Sequence, residues 1–177
     1  MTRMLAAIAL TNALLTAPAL AQTRKTEFGA DVAIKWTKVS GASEGFFDIQ
    51  TPVDLRIAFH LGNSLALEPR LTARFLSGGG GNVYAIDPGL NVLVGLPGST
   101  YNKGSYVTAG ADLAVTGGTD MTGESYVTFN LGMGSRAPVG SGAARGELYL
   151  AFTPRQGTAA PSSILTIGAR IGLSFFN

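Results

Sequence analysis

One pattern recurs eight times along the chain: a run in which apolar and polar side chains alternate strictly. The clearest run is FFDIQTPVDLRIAFH, from Phe46 to His60. From Phe47 onward, Phe47, Ile49, Thr51, Val53, Leu55, Ile57 and Phe59 share one side, and Asp48, Gln50, Pro52, Asp54, Arg56, Ala58 and His60 share the other. A period of two is that of a strand with one apolar and one polar face. The pattern alone leaves open which face is inward. A soluble protein buries the apolar face, whereas a strand in lipid turns it outward.

The other seven runs obey the same rule. The first, about Glu27 to Lys38, sets Phe28, Ala30, Val32, Ile34 and Trp36 against Glu27, Asp31, Lys35 and Thr37. The third sets Leu65, Leu67, Pro69, Leu71, Ala73 and Phe75 against Glu68, Arg70, Thr72 and Arg74. The fourth runs from Val83 to Leu96 and the fifth ends at Thr116, with Asp87, Asn91, Thr108 and Asp112 on their polar sides. The sixth carries Glu124, Tyr126, Thr128 and Asn130, the seventh Arg145, Glu147, Tyr149 and Arg155, and the eighth Thr166, Arg170 and Ser174. Between the runs lie SGASEG, GNS, SGGGGN, LPGS, TGGTDMTG, SRAPVGSG and PRQGTAAPS, each rich in turn-forming residues. Such spacing predicts a meander in which sequence neighbours pair in space. The 24 glycines fit a turn-rich β protein. Pro52 and Pro69 fall inside runs, remove ladder donors and mark expected bulges or irregularities.

The first 21 residues stand outside this pattern. Arg3, an apolar run and Ala19-Leu20-Ala21 before Gln22 have the layout of a secretory signal peptide cut after Ala21. A membrane-anchoring helix is the rival, disfavoured by Pro18 and the cleavage-like end. The expected organisation is a signal peptide over 1–21 and one β domain over 22–177.

Four features turn the apolar faces toward lipid. Many runs reach lengths beyond the usual soluble strand of about 5–6 residues, whereas a membrane strand needs about 9–11. The apolar faces are nearly free of charge, and a charge there costs about 2–4 kcal/mol at the bilayer midplane. The polar faces carry both signs, and nine arginines outnumber four lysines; arginine suits buried, multiply bonded ion pairs. Aromatic residues such as Trp36, Phe47, Phe75, Tyr84, Tyr101 and Phe175 gather near run ends, as at membrane interfaces. In hydrocarbon no backbone N–H can stay unpaired, so the strands must close without an edge. The expected fold is all-β, an eight-stranded antiparallel up-and-down transmembrane barrel. An even strand number puts both termini on one side, the periplasm, so connections after odd strands face out of the cell.

In this pattern the chain resembles the small eight-stranded outer-membrane β-barrel proteins, the group that includes the OmpA transmembrane domain and OmpX. The ending GARIGLSFFN, Gly168 to Asn177, is similar to the C-terminal strand signal those proteins offer to the barrel-assembly machinery. Leu173 and Phe175 fit that signal; Asn177 stands where it has an aromatic, and Phe176 comes one place early. The resemblance implies the outer membrane of a Gram-negative-type cell. It implies outer-membrane lipids and lipopolysaccharide as surroundings, the assembly machinery as a partner, and a monomer.

The lumen of such a barrel is just wide enough for side chains to fill it. Its expected content is an ion-pair network of Asp54, Arg56, Glu68, Arg70, Arg74, Glu147 and Arg170, a plug that satisfies its own charges rather than an open passage. A narrow pore is the alternative. A lipid-modifying enzyme, of the deacylase or acyltransferase type known among barrels of this size, is another. It would need His60, the single histidine, with Ser64 in FHLGNS. That motif falls at the periplasmic end, away from the outer leaflet on which those enzymes act, so no catalytic residue is assigned. Asp120 and Glu124 make too small a cluster for a cation site. SGGGGN lacks the Lys-Ser/Thr and helix of a phosphate loop. No Lys/Arg cluster with interleaved aromatics suggests nucleic acid, the absence of cysteine excludes thiol chemistry, and no cofactor is expected. An adhesin would show longer outer loops with aromatic anchors. A soluble periplasmic barrel would show shorter strands with Lys- and Glu-rich outer faces. The expected role is structural or interactive at the cell surface.

Overall fold

Eight strands follow one another as the alternation requires: β1 Thr26–Val39, β2 Phe46–His60, β3 Leu65–Gly78, β4 Gly81–Gly95, β5 Gly104–Gly118, β6 Met121–Val139, β7 Gly142–Thr153 and β8 Ile164–Phe176. They form a closed barrel in sequence order, every pair antiparallel. This computed structural model describes residues 25–78, 81–119, 121–157, 160 and 162–177. The leader 1–21 and Asp120 lie outside the described residues, as do the side chains of 48–53. Closure is made by β1 and β8, which pair continuously from Glu27↔Phe176 to Val39↔Ile164. Beyond that ladder, Thr26 and Asn177 exchange backbone hydrogen bonds of 3.3 and 3.0 Å.

The apolar faces point out and the polar faces in. Leu55, Leu131 and Ile171 are 55, 63 and 69% exposed, while Arg56 and Arg70 retain 2 and 5%. A soluble protein does not leave such a continuous apolar surface in water. A strand of 14 residues is about 46 Å long and, tilted by about 40°, about 35 Å tall, enough to cross a hydrocarbon core of ~30 Å. Aromatics sit on the outer face near both ends. Phe28 and Phe175 pair at the end that holds the termini. Phe75 and Tyr84 stack at 6.3 Å near the other, here called the far end.

Prolines and glycines account for the departures from the sequence expectation. In β2 the register jumps: Asp31 pairs Asp54, but Ala33 pairs Gln50. The inserted residues include Pro52, and because the insertion is even the inward face is kept. Pro69 holds its place opposite Leu90 on β4 without a register shift. The stretch SRAPVGSG was expected to be a turn, yet β6 runs on to Val139 and only Gly140 and Ser141 turn. β5 begins opposite Arg136, so Pro138 lies in a tail that pairs only with β7, an edge-like place that tolerates proline. Conversely, Arg155 lies beyond β7 in the exposed connection to β8, not on an inward face.

Candidate functional site: the lumen

The inward faces bring together a network of charged side chains at the level of the termini. Arg56 on β2 is one hub. Its Nε donates to Asp31 Oδ2 at 2.9 Å, Nη1 donates to Glu27, and Nη2 donates to Ser174 Oγ at 2.8 Å. Ser174 Oγ donates in turn to Glu27 Oε1 at 2.7 Å. Glu27 also bonds His60 Nε2 at 2.9 Å and lies 3.0 Å from Arg136 Nη2. Arg145 on β7 is the second hub. It holds Glu68 through Nη1 and Nη2, donates to Glu147 Oε2 at 2.6 Å, and donates through Nε to the Tyr106 hydroxyl. Arg70 joins the two hubs, binding Asp54 and donating to Asp31 Oδ2 at 3.3 Å, with Glu68 3.5 Å from its Nη1. Arg170 completes the set through Glu147 at 3.1 Å and Asp54 at 3.7 Å.

Five arginines therefore meet five carboxylates, all nearly out of contact with solvent. Two aromatic rings thread the cluster. The Arg136 and Arg145 guanidinia lie 4.7 and 4.9 Å from the Tyr106 ring, and Arg170 lies 4.0 Å from that of Tyr149. Such contacts add about 0.5–2 kcal/mol each where desolvated. Asn91, fully buried and opposite Glu68, has neither amide atom hydrogen-bonded among the described residues.

Glycine makes the space for this plug. Arg56, Asp31, Tyr106, Tyr149, Asn91 and Asp112 each stand directly opposite a glycine on the neighbouring strand: Gly29, Gly172, Gly134, Gly168, Gly110 and Gly89 in turn. A Cβ at any of these glycines would collide with the side chain opposite. Large inward residues thus lie flat over residues with no side chain, the large–small alternation by which a narrow barrel fills. Many glycines therefore serve the lumen rather than turns.

Of the residues expected from sequence, Asp54, Arg56, Glu68, Arg70, Glu147 and Arg170 belong to this network. Arg74 lines the cavity nearer the far end, together with Asp54, Arg70 and Arg170, and has contacts of its own. Glu27, Asp31, His60, Arg136 and Arg145 were not expected at its centre, though all but Arg136 stood on recognised polar runs. Arg136 had a signal too: continuing the sixth run past Met133 at a period of two reaches it.

The mouth at the terminal end is covered. The β4–β5 connection, residues 96–103, reaches the β1–β8 seam on the other side of the barrel. There Tyr101 meets Phe176 edge-on at 5.2 Å and His60 at 6.1 Å, and Lys25 Nζ lies 3.9 Å above its ring. Toward the far end the lumen is open space instead, a cavity of about 300 Å³ to which all eight strands contribute. Among the described residues no cluster of three or more His, Asp or Glu side chains is arranged to hold a metal.

The fold and lumen define an eight-stranded antiparallel up-and-down transmembrane barrel with a charged interior. Solved structures similar to it include Neisserial surface protein A, with a TM-score of 0.55 and 12% identity over 84% of this chain and 96% of that one. The attachment invasion locus protein Ail of Yersinia pestis also matches, with a TM-score of 0.49 and 10% identity over 86 and 99% of the two chains. The neisserial protein is a small eight-stranded outer-membrane barrel, the group the alternation resembles; at this identity the likeness is one of fold. No protein-family model matches the chain, and no curated protein matches it by sequence.

Proposed function

We propose that the protein is a monomeric, integral outer-membrane barrel of a Gram-negative-type cell, secreted through the leader 1–21. In this reading its lumen is closed and its role is structural or surface-interacting. The observation that carries the closed lumen is the cross-barrel network: Glu68, with no solvent exposure, receives Arg145 from β7 and faces Arg56 and Arg70. A permeating ion would have to break several buried pairs, each costing about 3–5 kcal/mol when one partner is lost. The belt of exposed Leu, Ile, Val and Phe supports residence among outer-membrane lipids and lipopolysaccharide. Phe175, outward-facing at the end of β8, supports recognition of Gly168–Asn177 by the barrel-assembly machinery. His60, on which a lipid-modifying activity would rest, spends Nε2 on Glu27 and packs against Tyr101 and Phe176.

Planar-bilayer recording of the purified barrel tests the closed lumen. A silent bilayer is expected, and steady single-channel currents would reject the plug in favour of a pore. Cell fractionation with heat-modifiable gel migration tests location and closure together. Recovery in the inner membrane or the soluble fraction would overturn the outer-membrane assignment.

A further inference from the structure

We propose that the far-end cavity binds one neutral pyranose sugar ring. Its charged lining is balanced and already engaged. The carboxylates of Asp31, Asp54, Asp87 and Asp112 share the space with Lys35, Arg70, Arg74 and Arg170. The two signs are interspersed, and each carboxylate has cations acting on it. Arg56 and Arg70 act on Asp31, Arg70 and Arg170 on Asp54, Lys35 and Arg74 on Asp87, and Arg170 and Arg70 on Asp112. An ion entering the cavity gives up its hydration and finds every partner already shared. A neutral solute escapes that cost. What the pairs leave over is hydrogen-bonding capacity: a carboxylate has about four lone-pair sites and a guanidinium five N–H donors. Groups fixed by one another therefore still present donors and acceptors side by side. A polyol, whose every hydroxyl both donates and accepts, matches such a mixed lining, to which Thr72 and Tyr126 add hydroxyls of their own.

Phe46 narrows the polyol to a ring with an apolar face. It stands out of phase with the alternation: paired with the buried Thr37, it puts an aromatic ring on the inward, polar side of β2. There it lines the cavity while remaining 55% exposed, so its face is not used up in packing. Ile164, paired with Val39 at the end of β1, lines the same rim. The cavity is thus polar within and apolar at its mouth. A pyranose has the same division, hydroxyls around its edge and a face of C–H bonds, and that face packs on the weakly negative face of an aromatic ring. The hydroxyls then point down to the charged lining and the C–H face lies on Phe46. At about 300 Å³ the cavity is at the small end of ligand sites, which limits the occupant to about one ring. The Arg70–Asp54 pair and Arg170 line it on the side of the plug, so the sugar binds above the plug without passing it. This assignment needs only the cavity, and its test separates it from the non-conducting reading above: a conducting barrel could still bind the sugar, and a silent one could fail to.

The test is an amide-shift titration of the protein in phosphocholine micelles, which carry no sugar headgroup. The probes are the methyl pyranosides of glucose, galactose and mannose. Glucuronate and glucosamine serve as charged rings of the same shape, and glycerol as a polyol without an apolar face. Saturable shifts around Thr72, Asp87, Asp112 and Arg170 are expected for at least one methyl pyranoside, with a dissociation constant on the order of 1 mM. Glycerol and the two charged rings should bind about fivefold or more weakly than that. The variant Phe46→Ala, altered at an exposed position outside the plug and shown to be closed by heat-modifiable migration, should bind the pyranoside about tenfold more weakly. No saturable shift with any pyranoside, tighter binding of either charged ring, or undiminished binding by Phe46→Ala would each overturn the proposal. The probe comparison on the unaltered protein decides the matter even if that variant does not fold.

Discussion

The two halves of the lumen are built from the same strands and the same alternation, yet they differ in kind. Near the termini, long charged side chains lie flat over glycines and interlock across the barrel, and Tyr101 covers the mouth. Toward the far end threonines and alanines stand among Lys35, Arg74 and Tyr126 around open space, and hydroxyls pair locally, Thr37 with Thr166 at 3.1 Å and Thr128 with Thr153 at 2.6 Å. Interior charge fills the lumen where guanidinia and carboxylates interlock across the barrel. Where they do not, the polar face lines a space.

The largest test of that contrast is Arg145→Ala. It strips Glu68 and Glu147 of a shared guanidinium in a buried place. The expected loss is about 3–5 kcal/mol, read from urea unfolding in lipid vesicles. Replacing Glu68 and Arg145 together by methionine should cost less than either single change, because no orphaned charge remains between them. An Arg145→Ala variant as stable as the parent would deny that the plug holds this half together.

Next comes Gly29→Ala. The new Cβ would fall within the Arg56 guanidinium and force the hub to move. A loss of about 1–3 kcal/mol is expected by the same unfolding assay. Gly123→Ala, whose Cβ would meet only the Thr116 carbonyl at 3.6 Å, should change little. Equal effects at the two sites would break the account of inward glycines as seats for large side chains.

Tyr101→Ala removes the ring that Phe176, His60 and Lys25 share. It should cost about 1–2 kcal/mol. Since the chain has no cysteine, a single Ala66→Cys substitution on the inward face near this mouth reports access. A thiol reagent should label it faster in the Tyr101→Ala background, and unchanged labelling would mean the connection does not shield the mouth. The smallest effect is expected in the open half. Thr37→Val deletes one hydroxyl pair beside space that water can enter, for about 1 kcal/mol or less. A loss there as large as at Arg145 would erase the distinction between the halves.

Much of this was legible in the sequence because a strand writes its faces into every second residue. Phe46–His60 coincides with β2, and the inward set Asp54, Arg56, Glu68, Arg70, Glu147 and Arg170 followed from parity. Parity failed where composition misled: Pro138 and Gly140 made the end of β6 look like a turn and hid Arg136. It was also silent on partners. Arg145 meets Glu68 across 77 positions of chain and Arg136 meets Glu27 across more than a hundred, neither pair on adjacent strands.

By itself, then, the sequence determined the number of strands, their order and which face meets lipid, since these depend on local periodicity, on run length and the placement of charge and aromatics, and on the cost of an unpaired backbone in hydrocarbon. Only the closed tertiary structure decided which arginine meets which carboxylate, which glycine seats which side chain, and where the filling stops. Those depend on the stagger and tilt at which the ring of strands closes. A shift of two residues at the β1–β8 seam would keep every side chain on its face and still move Asp31 off Gly172.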